Sequence, residues 1–126
     1  MKDVATSEAR PYIQSMATTP VNIRTSKGIE VDGDTREHVN VRMQRQLQKL
    51  GSKAMRATVR FEDVNGPKGG VDTVCRIKIV LAGLQSIVTE ARGSEAREAF
   101  DLAAGQSQRA ATKLISAARS ARRRAA

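Results

Sequence analysis

The stretch MRATVRFEDVNGPKGGVDTVCRIKIVLAGLQSIVTEAR, residues 55–92, decides the fold. Side chains alternate through it in three runs. In residues 55–64, Ala57, Val59 and Phe61 alternate with Arg56, Thr58, Arg60 and Glu62. In residues 71–81, Cys75, Ile77, Ile79 and Leu81 share one side, with Arg76 and Lys78 on the other. In residues 84–92, Ile87, Thr89 and Ala91 fall together. A period of two is the mark of a half-buried strand. Asn65-Gly66-Pro67-Lys68-Gly69-Gly70 between the first two runs has hairpin-turn composition, and Ala82-Gly83 is a tight turn. The stretch therefore predicts three consecutive antiparallel strands with one apolar face.

Two helical patterns flank these strands. Upstream, Val39, Met43, Leu47 and Leu50 recur at helical spacing. The pattern predicts a helix over residues 35–50, capped by Asp34 with Glu37 three residues on, and stopped by Gly51. Before it, residues 21–25 form a short strand with Val21, Ile23 and Thr25 on one face. Downstream, Ser94 caps a long helix with Glu95 and Glu98 near its positive end. Its stripe is Ala96, Phe100, Ala103, Ser107, Ala111, Leu114 and Ala118, small enough to lie close to a sheet. Gly105 marks a bend there, and Arg122, Arg123 and Arg124 form a fraying tail. The order is β-α-β-β-β-α. This is an α+β fold, a four-stranded sheet with two helices packed on one face and the other face open to water.

The expected division is a flexible extension at 1–19, a folded domain at 20–119 and a basic tail at 120–126. A short helix around Tyr12, Ile13 and Met16 is the one element expected in the extension, and translation could start at Met1 or Met16.

Composition narrows the function. The 126 residues include 22 Lys plus Arg against 13 Asp plus Glu, a net charge of +9. Residues 1–33 are neutral, with Lys2, Arg10, Arg24 and Lys27 against Asp3, Glu8, Glu30 and Asp32. The whole excess therefore belongs to the body and its C-terminal end, where no acid follows Asp101. Such a balance points to a polyanion, nucleic acid before membrane. Aromatic residues are 2% of the chain, so phosphate and sugar contacts are expected rather than base stacking. No apolar run is long enough for a membrane span, no secretory signal opens the chain, and a cytoplasmic location is expected. One Cys and one His make neither an internal disulfide nor a zinc site. No cofactor, metal or small-molecule substrate is expected.

The cations fall in rows. His38, Arg42, Arg45 and Lys49 share one side of the first helix, beside its apolar face, with no acid between them on that side. Arg109 and Lys113 stand one turn apart on the last helix. With both helices on one sheet face, these rows form one basic platform whose fixed cations match phosphate positions. A solvated helix surface is the plainer explanation of any one such row. Other features take plain readings. His38 has no evident Asp, Ser or Cys partner, and Cys75 is inert core. Lys68 among glycines lacks the spacing and following helix of a phosphate loop. Glu62 and Asp63 are adjacent strand residues and face opposite ways, so they are not paired carboxylates.

From residue 21 to about 118 the chain resembles the ribosome hibernation-promoting factors, or ribosome-associated inhibitors, in their short form. Val-Asn-Ile-Arg-Thr-Ser-Lys-Gly-Ile-Glu-Val at 21–31 is similar to their opening strand. Arg36-Glu37-His38-Val39 resembles their Arg-x-His-Val helix start, and Glu-Ala-Arg-Glu-Ala-Phe-Asp at 95–101 resembles the entry to their last helix. The segment 63–72 is similar to a loop in one branch of the family.

The resemblance implies a fold akin to double-stranded-RNA-binding domains. It implies docking of a rigid body in the mRNA/tRNA channel of the small ribosomal subunit. It also carries over Arg36, His38, Arg42, Arg45, Lys49, Arg109 and Lys113 as rRNA contacts, Arg45 and Lys49 following the family spacing only roughly. The chain departs from the family in residues 1–19 and in Gln106 where a base is common, and the short-form reading expects no C-terminal dimerisation domain of the kind long members carry. Three other readings stand beside it: a general binder of structured RNA acting off the ribosome, a protein-interaction module, and, last, an enzyme, for which no nucleophile–base pair is present.

Overall fold

The computed structural model describes residues 19–26, 29–64 and 72–125. Strands β1 (Val21–Thr25), β2 (Ala54–Asp63), β3 (Thr73–Leu81) and β4 (Ile87–Gly93) form one sheet in the order β1-β2-β3-β4. Helix α1 (Gly33–Gln48) joins β1 to β2, and α2 (Ala96–Ala125) closes the described chain. β2-β3-β4 are antiparallel neighbours, as the short connections between them require. β1 runs parallel to β2, a pairing that needs a crossover, and α1 supplies it.

The inward set is the one the alternation selects. Ala57, Val59, Phe61, Cys75, Ile77 and Ile79 are fully buried. Val39, Met43 and Leu47 of α1 and Ala99, Phe100, Ala103, Ala104 and Ala111 of α2 cover them. Both helices lie on that face. α2 makes the closer approach, over β4 and β3, because its buried residues are mostly alanines. At the β4–α2 turn a side chain at Gly93 would place its Cβ 2.7 Å from the Ala99 backbone nitrogen.

Several expectations are corrected. The N-cap of α1 is Asp32, not Asp34: Asp32 has extended backbone and accepts a 2.8 Å hydrogen bond from the Thr35 amide. Asp34 lies inside the first turn, where its charge still favours the helix dipole. Ser94 does not cap α2 through its oxygen. Its amide and hydroxyl both donate to Glu98 Oε1, at 2.7 and 2.9 Å. The buried stripe of α2 is wider than expected, taking in Ala99, Ala104 and Ile115, while Ala96, Leu114 and Ala118 are only half-buried. The helix continues through Gly105 and on through Arg122, Arg123 and Arg124 instead of fraying. α1 spans Gly33–Gln48 with Lys49 as its C-cap, two residues earlier at each end than the expected 35–50, and Gly51, with φ of 62°, takes the left-handed backbone just beyond it. The extension, apart from Thr19, and the 65–70 turn lie outside the described residues.

Candidate nucleic-acid interface

The two helices meet along a polar seam. Gln46 Nε2 donates to Ser107 Oγ at 2.7 Å, and the Ser107 hydroxyl donates to the Ala104 carbonyl at 3.0 Å. Gln46 Oε1 is buried without a partner among the described residues. Eight residues earlier on α1, His38 Nε2 lies 2.7 Å from Asp101 Oδ1. Arg97 Nη2 donates to His38 Nδ1 at 3.3 Å. An arginine can only donate, so Nδ1 accepts and the imidazole proton sits on Nε2, aimed at the carboxylate. The imidazole packs against the Phe100 ring in a T-shaped pair, centroids 5.7 Å apart at 82°. Arg42 Nη1 reaches the same Asp101 oxygen at 3.5 Å.

This arrangement corrects the sequence reading twice. His38 does have an aspartate partner, and the α1 row does have an acid beside it, contributed by the other helix. Both ring nitrogens of His38 are held, and among the described residues no nucleophile contacts it, so the group fixes the helices to each other. Among the described residues no cluster of three potential metal ligands occurs.

The seven singled-out residues separate into four groups. Arg42, Arg109 and Lys113 line one shallow groove between the helices, with Gly105, Gln108 and Thr112. His38 lies at the seam, half-buried. Arg36 and Arg45 line a different groove along α1 beside Ile23 of β1, and Arg36 Nε also donates to the Val31 carbonyl at 3.3 Å. Lys49 is the exposed C-cap residue of α1. The groove core is thus three cations on rigid helices, a geometry suited to fixed phosphates.

Comparison with known proteins decides the family. The model of the family described as Sigma 54 modulation protein / S30EA ribosomal protein matches residues 22–117. The chain belongs to this family. A ribosomal subunit interface protein from Coxiella burnetii has a similar fold, with a TM-score of 0.63 at 12% identity, covering 78% of this chain and 99% of that one. The N-terminal domain of Protein Y from Thermus thermophilus is similar at a TM-score of 0.62 and 15% identity, covering 75% and 98%. No curated protein matches. The family is one of ribosome-associated proteins, and the β-α-β-β-β-α layout is its fold. No helix among the described residues is long and apolar enough to cross a membrane.

One set of cations escaped sequence reasoning. Arg24, Arg60, Arg76 and Lys78 line a depression on the outer face of the sheet, with Thr58 and Val88. Their outward direction is legible from strand alternation. Their assembly depends on register across three strands, which alternation does not give.

Proposed function

We propose that this protein is a cytoplasmic, ribosome-associated translation inhibitor. It binds the small subunit in the mRNA/tRNA channel and keeps idle ribosomes silent, as in stationary phase or stress. The observation that carries this reading is the family match over residues 22–117 on a body whose interhelical groove holds Arg42, Arg109 and Lys113 together. The action is occlusion and not chemistry. The helices are locked by the His38–Asp101 and Gln46–Ser107 contacts, so the groove cations meet rRNA phosphates already in place. Preorganisation of this kind reduces the ordering cost of binding. Arg36, His38, Arg45 and Lys49 complete the expected rRNA contact set around that centre.

Co-sedimentation with purified small subunits across a salt series tests the reading. Salt-sensitive pelleting that bound tRNA and mRNA block is the expected result. Pelleting indifferent to tRNA and mRNA would move the site elsewhere on the ribosome. Absence of pelleting at low salt would overturn ribosome binding and favour a structured-RNA binder acting off the ribosome.

A further inference from the structure

The outer face of the sheet carries a charge arrangement that folding alone does not account for. Arg24 pairs in register with Arg60, and Arg60 with Arg76. Three guanidinium-bearing side chains thus stand side by side on neighbouring strands, spanning about 10 Å at the usual strand spacing. Lys78, two residues along β3 on the same face, pairs with Thr58 and completes the depression. Like charges directly opposite each other in a sheet destabilise it.

The nearby acids offset little of this. Glu62 holds Arg60 only loosely, at 3.8 Å, with both side chains about half exposed. Glu90 stands cross-strand from Arg76 without an ion pair between them. Among the described residues Arg24, Arg76 and Lys78 have no ion-pair partner. Edge protection is the usual reason for cations on a sheet, but Arg60, Arg76 and Lys78 are on the two central strands, β2 and β3.

We propose that this face is a second binding site for an RNA phosphate backbone, so that the body holds two RNA segments, one on the helix groove and one on the open sheet. The proposal goes beyond occlusion of the ribosomal channel and does not depend on it. Charge complementarity selects the occupant. Guanidinium forks suit phosphate oxygens. Sheet faces that read bases present aromatic rings for stacking, and here Thr58 and Val88 stand among the cations instead. Among the described residues the depression also lacks the aromatic anchors on which protein partners concentrate their binding energy. The groove and the depression lie on opposite sides of the sheet, so one straight duplex does not contact both.

The test uses the full chain and a labelled duplex RNA hairpin, titrated between 50 and 200 mM salt. Four proteins are compared: wild type, the sheet variant R60Q/R76Q/K78Q, the groove variant R42Q/R109Q/K113Q, and the two combined. Each phosphate contact contributes about 0.7 to 0.9 to the salt slope. The sheet variant is expected to lose about 2 to 3 units of slope and at least about tenfold in affinity at 50 mM salt. The groove variant is expected to keep a residual salt-dependent binding that the combination abolishes. The urea midpoint of the sheet variant should equal or exceed that of wild type, which separates lost contacts from lost folding. If the triple variant unfolds, Arg76→Gln alone carries the test, with an expected slope change of about 1. Hairpin affinity within twofold of wild type would overturn the proposal. So would loss of binding to a polyglutamate probe with hairpin binding intact, which would assign the face to an acidic protein. Failure to pellet with ribosomal subunits would leave the hairpin result standing, so the two readings fail separately.

Discussion

The two sides of the sheet handle positive charge in opposite ways. On the helical side, Asp101 stands between His38 and Arg42, so part of the row's charge is used in joining α1 to α2. On the open side, Arg24, Arg60 and Arg76 line up across strands with their acids off to one side. The helical cations are therefore partly structural and partly available for binding. The sheet cations repel one another across the strands, are only weakly offset by Glu62 and Glu90, and gain most from an external anion. Counting charges in the sequence treats both sets as equal. Their neighbours make them different, and mutations should separate them by sign.

The largest expected effect comes from removing the support of the seam. Phe100 is fully buried and packs against the His38 ring in a T-shaped pair. Phe100→Ala should cost about 3–5 kcal/mol, the usual range for a buried aromatic truncation, read from urea unfolding. A loss under about 1 kcal/mol would mean the seam does not depend on this residue and would weaken the contrast between the two sides.

The next effect probes the inner side of the sheet beneath the exposed cations. Burial pushes the Cys75 thiol from an ordinary 9.0 up to about 12. The folded state therefore holds this proton more tightly than the unfolded chain does. The stability this supplies is complete below about pH 9 and is lost as the pH rises toward 12. By linkage the loss reaches a few kcal/mol, on the order of 1.4 per pH unit. Comparing wild type with Cys75→Ala between pH 8 and 11 isolates it from lysine and tyrosine titration. The variant should be less stable at pH 8, and the gap should close as the pH rises. A constant gap would mean the thiol is not held in its protonated form by burial.

A smaller change should act on the seam with two opposite readouts. Asp101→Asn removes the acid from the interhelical face. Asp101 is 42% exposed on its side chain, so the stability loss should stay below about 1 kcal/mol. RNA affinity should rise two- to fivefold at low salt, equivalent to about 0.5–1 kcal/mol, because Arg42 is released beside Arg109 and Lys113. Filter binding and thermal melting on the same samples would show it. An affinity that falls together with stability would mean Asp101 positions the cations more than it neutralises them.

Much of the fold was legible because strand alternation and helix spacing report burial directly. Ala57, Val59 and Phe61 were readable as core from their period alone, as were Val39, Met43 and Leu47. The α1 cap was misplaced because Asp32 and Asp34 are both acceptable N-caps two residues apart. The choice falls to Asp32 because Val31, just before it, is anchored in the core and fixes where the chain turns. The site was less legible. His38 and Asp101 are 63 residues apart, and only the packing of α1 on α2 brings them together. Arg109 and Lys113 could be paired from their spacing, but that they share a groove with Arg42 and not with Arg36 or Arg45 depends on which flank of α1 faces α2. The sheet cluster needed the pairing Arg24–Arg60–Arg76, a register that the turns and the crossover set.

The smallest expected effect is also the one whose sign most separates the two sides. Arg76→Gln removes the end member of the guanidinium row. It leaves Arg60 facing a neutral side chain across the β2–β3 pair. Cross-strand charge pairs are worth roughly 0.2–1 kcal/mol, and like charges act against the sheet. The variant should therefore be more stable by a few tenths of a kcal/mol in low salt, with the gain shrinking as salt screens the repulsion. The lost attraction between Arg76 and its cross-strand neighbour Glu90 works the other way. A Glu90→Gln variant, which leaves the row intact and removes that acid, should accordingly be less stable. If both neutral variants were destabilised equally, Arg76 would be serving the fold through Glu90. The open face would then be balanced within the sheet, as the helical side is balanced by Asp101.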